Sequence, residues 1–249
     1  MALIVQKFGG SSVADPERVA HVAKIITDTW KEGNDVVVVL SAQGKTTDRL
    51  LAQAREINPN PSNRELDMLV SCGEQMSVAL MAMAIEKLGC PVVSLNAWQV
   101  GFHTDSNYTA ARIQRVDTER FRTELDRHRI VLFTGFQGVN RYDDITTLGR
   151  GGSDTTAVAV AAALKADLCR IYTDVDGVYT ADPEKDPTAT KYDELTFTKA
   201  LTDHLKVMDA TAFALCEQGP VPIIVFNIEQ KGNLTRLLKG EKIGTTVHA

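Results

Sequence analysis

Short apolar segments alternate with amphipathic helical segments along the whole chain, and this alternation restricts the fold more than any other feature. An apolar run without polar interruption is typical of a parallel strand, because helices cover both faces of a parallel sheet. Repeated strand–helix units are joined by right-handed crossovers. We therefore predict an α/β fold, a three-layer αβα sandwich with a mainly parallel central sheet. The predicted strands are residues 2–8, 35–41, 91–97, 130–136, 168–173 and 221–227, and the predicted helices are 15–30, 48–57, 64–88, 118–129, 154–165 and 198–218.

Composition excludes several classes of protein. The chain has 249 residues and a formal net charge of −5 with both signs intermixed, which disfavours a nucleic-acid partner. Its four cysteines lie far apart in apolar stretches, so they are predicted to be reduced core residues, and no metal site is predicted. We find neither a leader segment nor an apolar run of membrane-spanning length. We expect a cytoplasmic protein without a membrane partner.

Two polar loops follow the first two predicted strands. In KFGGSS (7–12), Lys7 ends an apolar strand, and the amides of Gly9, Gly10 and Ser11 are candidates for an anion-binding nest. LSAQGKTTD (40–48) contains Gly-Lys-Thr, but Val39 stands where a P-loop needs its first glycine. Its hydroxyl groups, on Ser41, Thr46 and Thr47, fit either a substrate loop or a helix cap.

A buried carboxylate is predicted in the apolar helix at 70–89. Glu74 lies within this helix, and a buried carboxylate requires a partner. Either an internal lysine or arginine, or a cationic group of a substrate, would fulfil that requirement. The sequence leaves both alternatives open.

Two further motifs follow predicted strands in the second half of the chain. GRGGSDTTA (149–157) offers the Arg150 guanidinium for a carboxylate or phosphate, and helix N-terminal amides at 153–156 for an anion. Asp154 is favoured there by the helix dipole, whatever its role. TDVDGVYTADP (173–183) contains an Asp-Gly turn signal typical of a hairpin. Ribose or adenine contacts are the alternative.

Together these motifs resemble the amino-acid kinase family. Residues 1–183 are similar to aspartokinase catalytic domains, and residues 184–249 resemble the carboxy-terminal part of bacterial uridylate kinases, without the ACT domains of aspartokinases. The chain is thus interpreted as a hybrid, natural or engineered. The matching stretches are KFGGSSVAD (7–15), VVVVLSAQGKTTDRLL (36–51), SCGEQMS (71–77), TGFQG (134–138), TLGRGGSDTTA (147–157) and TDVDGVYTADP (173–183), followed by EKDPTATKYDELTF (184–197), HLKVMDATAFAL (204–215), PIIVFNI (222–228) and GEKIGTTV (240–247).

The resemblance implies an ATP-dependent kinase that converts L-aspartate to 4-phospho-L-aspartate in lysine and threonine biosynthesis. It implies a single domain, 1–249, in which residues 1–145 bind the acceptor and residues 146–249 bind ATP. We expect no feedback inhibition by lysine or threonine, and we expect a homo-oligomer, with a dimer as the preferred form. A uridylate kinase and a weakly active nucleotide-binding hybrid are the alternatives.

The resemblance also implies a role for each site residue. Glu74 pairs with the substrate ammonium and Arg150 with its α-carboxylate. Lys7 neutralises the transferring phosphoryl group, and Asp154 orients the lysines, while Mg²⁺ binds through the ATP phosphates. Glu184 stands where aspartokinases carry an arginine, for which Lys185 or Lys206 could compensate. The assisting residues are Ser41, Thr46 and Ser153 for the acceptor, and Gly9, Gly10, Ser11, Thr173, Asp174, Tyr179 and Lys206 for ATP.

Overall fold

The structure is a computed structural model and describes residues 1–149, 151–173, 175–181, 186, 188–202, 205, 221–227 and 241–248. A short 3₁₀ helix lies at Ser11–Val13. The α-helices are α1 Pro16–Lys31, α2 Thr46–Ile57, α3 Asn63–Val70, α4 Cys72–Lys87, α5 Ala97–Val100, α6 Glu119–Asp126, α7 Gly152–Leu164 and α8 Phe197–Thr202. The strands are β1 Leu3–Phe8, β2 Asp35–Leu40, β3 Val92–Leu95, β4 Phe102–Thr104, β5 Ile113–Val116, β6 Ile130–Thr134, β7 Gln137–Val139, β8 Ile145–Thr147, β9 Leu168–Thr173, β10 Val178–Tyr179, β11 Lys191–Tyr192, β12 Glu194–Thr196, β13 Ile223–Asn227 and β14 Thr245–His248.

An eight-stranded sheet forms the centre of the molecule, in the order β12-β14-β13-β9-β1-β2-β6-β3. Each pairing is parallel except that of β13 with β14, among the strands that the structure describes. All six strands predicted from apolar runs belong to this sheet. The predicted α/β class with a mainly parallel sheet is therefore confirmed.

Helices cover both faces of the central sheet. Because side chains alternate along a strand, β2 sends Val36 and Val38 to one face and Val37 and Val39 to the other. Helices α1 and α4 pack on the first face, and α6 and α7 pack on the second. This burial on both sides explains why the central strands carry no polar alternation.

The described residues depart from the predicted elements in one long helix and in several short elements, which include α5, β12 and the two-stranded sheet of β10 and β11. The helix predicted over 64–88 is divided at Ser71, where α3 ends and α4 begins. A second sheet, of strand order β5-β4-β7-β8, was not predicted. Its strands have three or four residues each, too few for a periodic pattern to emerge from the sequence.

Residues Asn63–Lys87 are long and apolar enough to cross a membrane by length and composition alone. The expectation that no segment reaches this length was therefore wrong. Within the protein, 44% of the most apolar part of this stretch is buried, and α4 packs against α1 and the sheet. These contacts are those of a core helix.

Candidate functional site

A cavity of about 280 Å³ opens beyond the carboxyl ends of β1, β2 and β6, where it meets the start of α7. Ligands of parallel α/β sheets bind at this edge, because loops from several strands converge there. The cavity is lined by Lys7, Gly10, Ser41, Ala42, Gly44, Thr47, Glu74, Phe136, Gly149, Gly151, Gly152, Ser153 and Asp154. Five separate sequence motifs thus meet in one site.

Lys7 and Asp154 form an ion pair within the cavity. The Nζ atom of Lys7 lies 2.7 Å from Oδ1 of Asp154, and the lysine is 8% exposed. Lys7 is the second-last residue of β1, while Asp154 lies in the first turn of α7. The contact with Asp154 therefore holds the Lys7 ammonium in a fixed place at the sheet edge.

The turn after β1 leaves a row of amides without internal acceptors. Its hydrogen bonds use the carbonyl of Gly9, which accepts from Ser12, and the carbonyl of Gly10, which accepts from Val13 and Gly44. Among the described residues, the backbone amides of Gly9, Gly10 and Ser11 donate no hydrogen bond to another backbone group. Three consecutive free amides beside the Lys7 ammonium suit a phosphate group.

Close packing at Gly10 allows a sharp test of this turn. A Cβ atom at Gly10 would lie 2.5 Å from the backbone oxygen of Ala42, whereas one at Gly9 would meet only Lys7 Nζ at 3.6 Å. We expect Gly10→Ala to destabilise the protein by about 1–3 kcal/mol, because backbone cannot yield as a side chain does. Gly9→Ala should unfold within about 1 °C of the wild-type protein. Thermal unfolding of both variants measures this, and equal losses would contradict the close approach.

Glu74 is a buried carboxylate, and no cation in the part of the chain that the structure describes pairs with it. It lies in the first turn of α4, is 3% exposed, and accepts one hydrogen bond at Oε1 from the Ala42 amide, at 3.1 Å. Its Oε2 has no hydrogen-bond partner, and no lysine or arginine of the described residues pairs with it. Burial raises the pKa of this carboxyl to about 7, and its hydrogen bonds with the backbone amides only partly oppose that rise.

The glycine loop before α7 accepts hydrogen bonds from amides in the first turn of that helix. Gly151 has a φ of +79°, a conformation that favours glycine, and its carbonyl accepts from the amides of Asp154 and Thr155. The predicted anion site used the amides at 153–156, so at least two of these are already engaged. Ser153 nevertheless lines the cavity with its buried side chain.

The remaining predicted residues differ in their positions. Arg150, Asp174 and Lys206, with Glu184 and Lys185, lie outside the described residues. Thr46 begins α2, but its neighbour Thr47 lines the cavity instead. Gly9 and Ser11 flank the lining residue Gly10.

The predicted nucleotide residues Thr173 and Tyr179 follow the neighbouring strand β9. Thr173 is its last residue, and Phe8 of β1 pairs with the residue just before it. Tyr179 donates to Oδ1 of Asp176 at 2.6 Å, and this bond raises the pKa of the phenol. Thr173 thus lies at the carboxyl edge of the sheet, beside the strand that carries Lys7, while Tyr179 belongs to the separate two-stranded sheet of β10 and β11.

Sequence reasoning missed several lining residues, of which Phe136 is the most informative. This residue has a φ of +70°, and its amide donates to Oγ1 of Thr156 on α7. The motif TGFQG contains it, but an apolar side chain next to a strand gives no chemical signal of a site. Among the described residues, no group of three or more possible ligands could hold a metal ion.

The fold and the cavity define an α/β protein with a polar cleft at the carboxyl edge of its sheet. The family model "Amino acid kinase family" matches residues 2–227, so the chain belongs to the amino acid kinase family. An aspartokinase of Geobacillus stearothermophilus is 54% identical over 201 residues, which are 81% of this chain and 49% of the relative. An aspartate kinase of Stutzerimonas stutzeri is 47% identical over 97% of this chain and 60% of its own length. The chain thus spans about half the length of the aspartokinases it matches.

Solved structures agree with this assignment. Aspartate kinase from Synechocystis superposes with a TM-score of 0.83 at 42% identity, covering 100% of this chain and 40% of that protein. Aspartokinase III of E. coli in complex with aspartate and ADP superposes with a TM-score of 0.81 at 26% identity. The match covers 99% of this chain and 64% of that protein. UMP kinase from Ureaplasma parvum superposes with a TM-score of 0.74 at 21% identity. The match covers 100% of this chain and 99% of that protein, and it shows a likeness of fold alone.

Proposed function

We propose that this chain is an aspartate kinase, which transfers the γ-phosphoryl group of ATP to the side-chain carboxylate of L-aspartate. The observation that carries this proposal is the buried Glu74 carboxylate, which lines the same cavity as Lys7 and whose Oε2 finds no hydrogen-bond partner among the described residues. An ammonium group of a substrate would supply the missing partner. The similarity to aspartokinases over most of the chain supports the same acceptor.

The acceptor would lie between Glu74 and the start of α7. Glu74 pairs with its ammonium, and Ser153 and Ser41 donate hydrogen bonds from the opposite walls of the cavity. Arg150 binds the α-carboxylate by resemblance, and Thr46 assists with its hydroxyl group. This arrangement leaves the side-chain carboxylate directed at the Lys7 ammonium.

The reaction needs no general base. The aspartate side chain, with an ordinary pKa near 3.9, is already a carboxylate at neutral pH. One of its oxygens forms the new bond to the γ-phosphorus while the bond to the β,γ-bridging oxygen breaks, and ADP leaves with that electron pair. Catalysis then rests on positioning and charge neutralisation. Lys7 neutralises the group in transfer, and Asp154 orients Lys7.

ATP would lie along the neighbouring strand ends. The free amides of Gly9, Gly10 and Ser11 bind its phosphates, and Thr173 and Tyr179, with Asp174 and Lys206, contact the rest of the nucleotide. Mg²⁺ bound to the phosphates would supply further neutralising charge. The assignment of residues 1–145 to the acceptor and 146–249 to ATP follows from the resemblance and stays a prediction.

The biological setting is proposed on the same basis. We place the enzyme in the cytoplasm, in the biosynthesis of lysine and threonine, as a homo-oligomer. The exposed side chains of Met76, Leu80 and Met83 on α4 support the oligomer, because a second copy would cover them. The hybrid origin of residues 184–249 also stays a prediction. The similarity to the Stutzerimonas stutzeri aspartate kinase continues past residue 183 and speaks against it.

A panel of acceptors tests the proposed reaction. ADP release is measured with ATP and L-aspartate, L-glutamate, UMP or no acceptor, and hydroxylamine traps the acyl phosphate that only a carboxylate acceptor produces. We expect turnover with aspartate and at least about 100-fold less with glutamate, because one extra methylene displaces the reacting oxygen. Turnover with UMP alone would reject the proposal. Tight ATP binding without any turnover would identify a nucleotide-binding protein instead.

A further inference from the structure

Asp67 is a second buried carboxylate, located on α3 outside the cavity. It is fully buried and accepts three hydrogen bonds. Oδ2 accepts from the amides of Thr109 and Thr147, both at 2.9 Å, and Oδ1 accepts from the Thr147 hydroxyl group at 2.5 Å. Two segments distant in sequence are therefore bound to one side chain of α3.

Fold stability alone is a poor explanation for this carboxylate. No cation of the described residues forms an ion pair with it, and burial raises its pKa although its three hydrogen bonds oppose the rise. An uncompensated carboxylate is costly to bury, and an apolar side chain could fill the space instead. The hydrogen bonds of Asp67 fix the positions of the Thr109 and Thr147 amides and of the Thr147 hydroxyl group, which an apolar side chain could not do.

Each polar group of Thr147 takes part in a hydrogen bond. Its amide and hydroxyl donate to Asp67, and its carbonyl accepts from the Ala111 amide at 2.9 Å. It ends β8, and the glycine loop that lines the cavity follows directly, with Gly149 two residues away. Thr147 is thus the anchor from which this loop begins.

The same helix leads directly to Glu74 on the opposite wall. The Ser71 amide donates to the carbonyl of Asp67 at 3.1 Å, and the Ser71 carbonyl accepts from Gln137 Nε2 at 3.0 Å. Helix α4 begins at the next residue and carries Glu74 in its first turn. Asp67 therefore connects the wall that carries Glu74 with the anchor of the glycine loop.

We propose that Asp67 is a positioning residue for the amino-acid acceptor, because its hydrogen bonds to Thr147 hold the glycine loop at a fixed distance from Glu74. An α-amino acid presents an ammonium and a carboxylate at a fixed separation, so this distance determines how well it binds. The inference rests on the proposed function for the identity of the acceptor. Its structural part, the anchoring of the loop, does not.

Kinetics of the 249-residue chain separate positioning from folding. We expect Asp67→Ala to raise the KM for aspartate about tenfold or more, with the KM for ATP within about twofold, because only one wall of the acceptor site moves. Val70→Ala is the matched control, since Val70 is buried on the same helix without a place in this network. An equal rise in Val70→Ala, or no rise in Asp67→Ala, would overturn the proposal.

Asp67→Asn provides a rescue by the conservative variant. Its oxygen can accept from both backbone amides, and its amide group can donate to the Thr147 hydroxyl. We expect the KM for aspartate to remain within about threefold of the wild-type value. A rise as large as that of Asp67→Ala would show that the charge, and not the anchoring, matters, and would overturn the proposal.

Hydrogen exchange of residues 148–153 gives a readout that needs no substrate. It should be faster in Asp67→Ala than in Val70→Ala, and unchanged exchange would overturn the anchoring. If the wild-type protein uses another acceptor, the proposed function fails, while exchange still tests Asp67. If Asp67→Ala does not fold, Thr147→Val removes the hydroxyl bond alone, and unchanged exchange and KM in that variant would equally overturn the proposal.

Discussion

Lys7→Met is expected to lower kcat by about a thousandfold, because one preorganised charge at the reacting group contributes on that order. The KM for aspartate should change by less than about threefold, since Lys7 acts on the phosphoryl group in transfer and not on the amino acid. Lys7 is buried beside Asp154, so no other described lysine or arginine replaces its charge there. Steady-state ADP release with both substrates varied measures the two constants.

The control for charge alone is Lys24→Met. Lys24 lies on α1, is 69% exposed at its side chain, and pairs with Asp28 one helical turn away. We expect kcat within about twofold of wild type, as for most surface substitutions. A similar loss of kcat in both variants would contradict a specific role for Lys7.

Substitution of Asp154 tests whether this residue acts only through Lys7. If Asp154 only orients Lys7, then Asp154→Asn lowers kcat by about ten- to a hundredfold, and Lys7→Met/Asp154→Asn is no slower than Lys7→Met alone. The 2.7 Å contact between the two side chains is the physical reason for such non-additivity. Independent losses that multiply in the double variant would indicate a separate role for Asp154 and contradict the proposed orientation.

Glu74→Gln should have the second-largest effect, a rise of about 100-fold in the KM for aspartate. Loss of one partner from a buried ammonium–carboxylate pair costs about 2–5 kcal/mol, and the amide also leaves the substrate charge uncompensated. The kcat at saturation should fall much less, because Glu74 does not contact the phosphoryl group. Glu86→Gln, at an exposed position on the same helix, is the matched control and should leave both constants unchanged.

The pH dependence of the wild-type protein follows from the same carboxyl. The pKa of Glu74 is raised to about 7, so the group is mostly protonated at pH 6 and mostly ionised at pH 8. Only the ionised form attracts an ammonium, so the KM for aspartate should fall about tenfold from pH 6 to pH 8. In Glu74→Gln this dependence should disappear. An unchanged profile in the variant would assign the titration to another group.

Unfolding distinguishes a binding residue from a structural one. Because the pKa of Glu74 is higher in the folded chain than in the unfolded chain, folding is favoured most below the unfolded pKa, and this contribution is lost as the pH rises through about 7. Glu74→Gln removes the ionised, unpaired carboxylate. It should therefore unfold at a higher temperature than the wild-type protein at pH 8, with a smaller difference at pH 6. A loss of stability at pH 8 would indicate an internal partner.

The sequence by itself determined the class of fold and the motifs of the cavity. Uninterrupted apolar runs such as 35–41 predict central strands, because both faces of a parallel strand are buried and the pattern is local. The glycines and the lysine of residues 7–12 could also be recognised as a candidate site from the sequence alone. Their backbone freedom and charge predict an anion site without knowledge of any contact.

The tertiary structure favours one of the alternatives for Glu74, since no lysine or arginine of the described residues pairs with its buried carboxylate. The sequence allowed an internal cation or a substrate, and the choice depends on which side chains converge from residues far apart in the chain. The same holds for Asp67, whose partners Thr109 and Thr147 are 42 and 80 residues away. The short strands of the second sheet were missed because three residues carry no period. Burial, close approach and an unsatisfied oxygen arise from packing between distant segments, and no local pattern of residues encodes them.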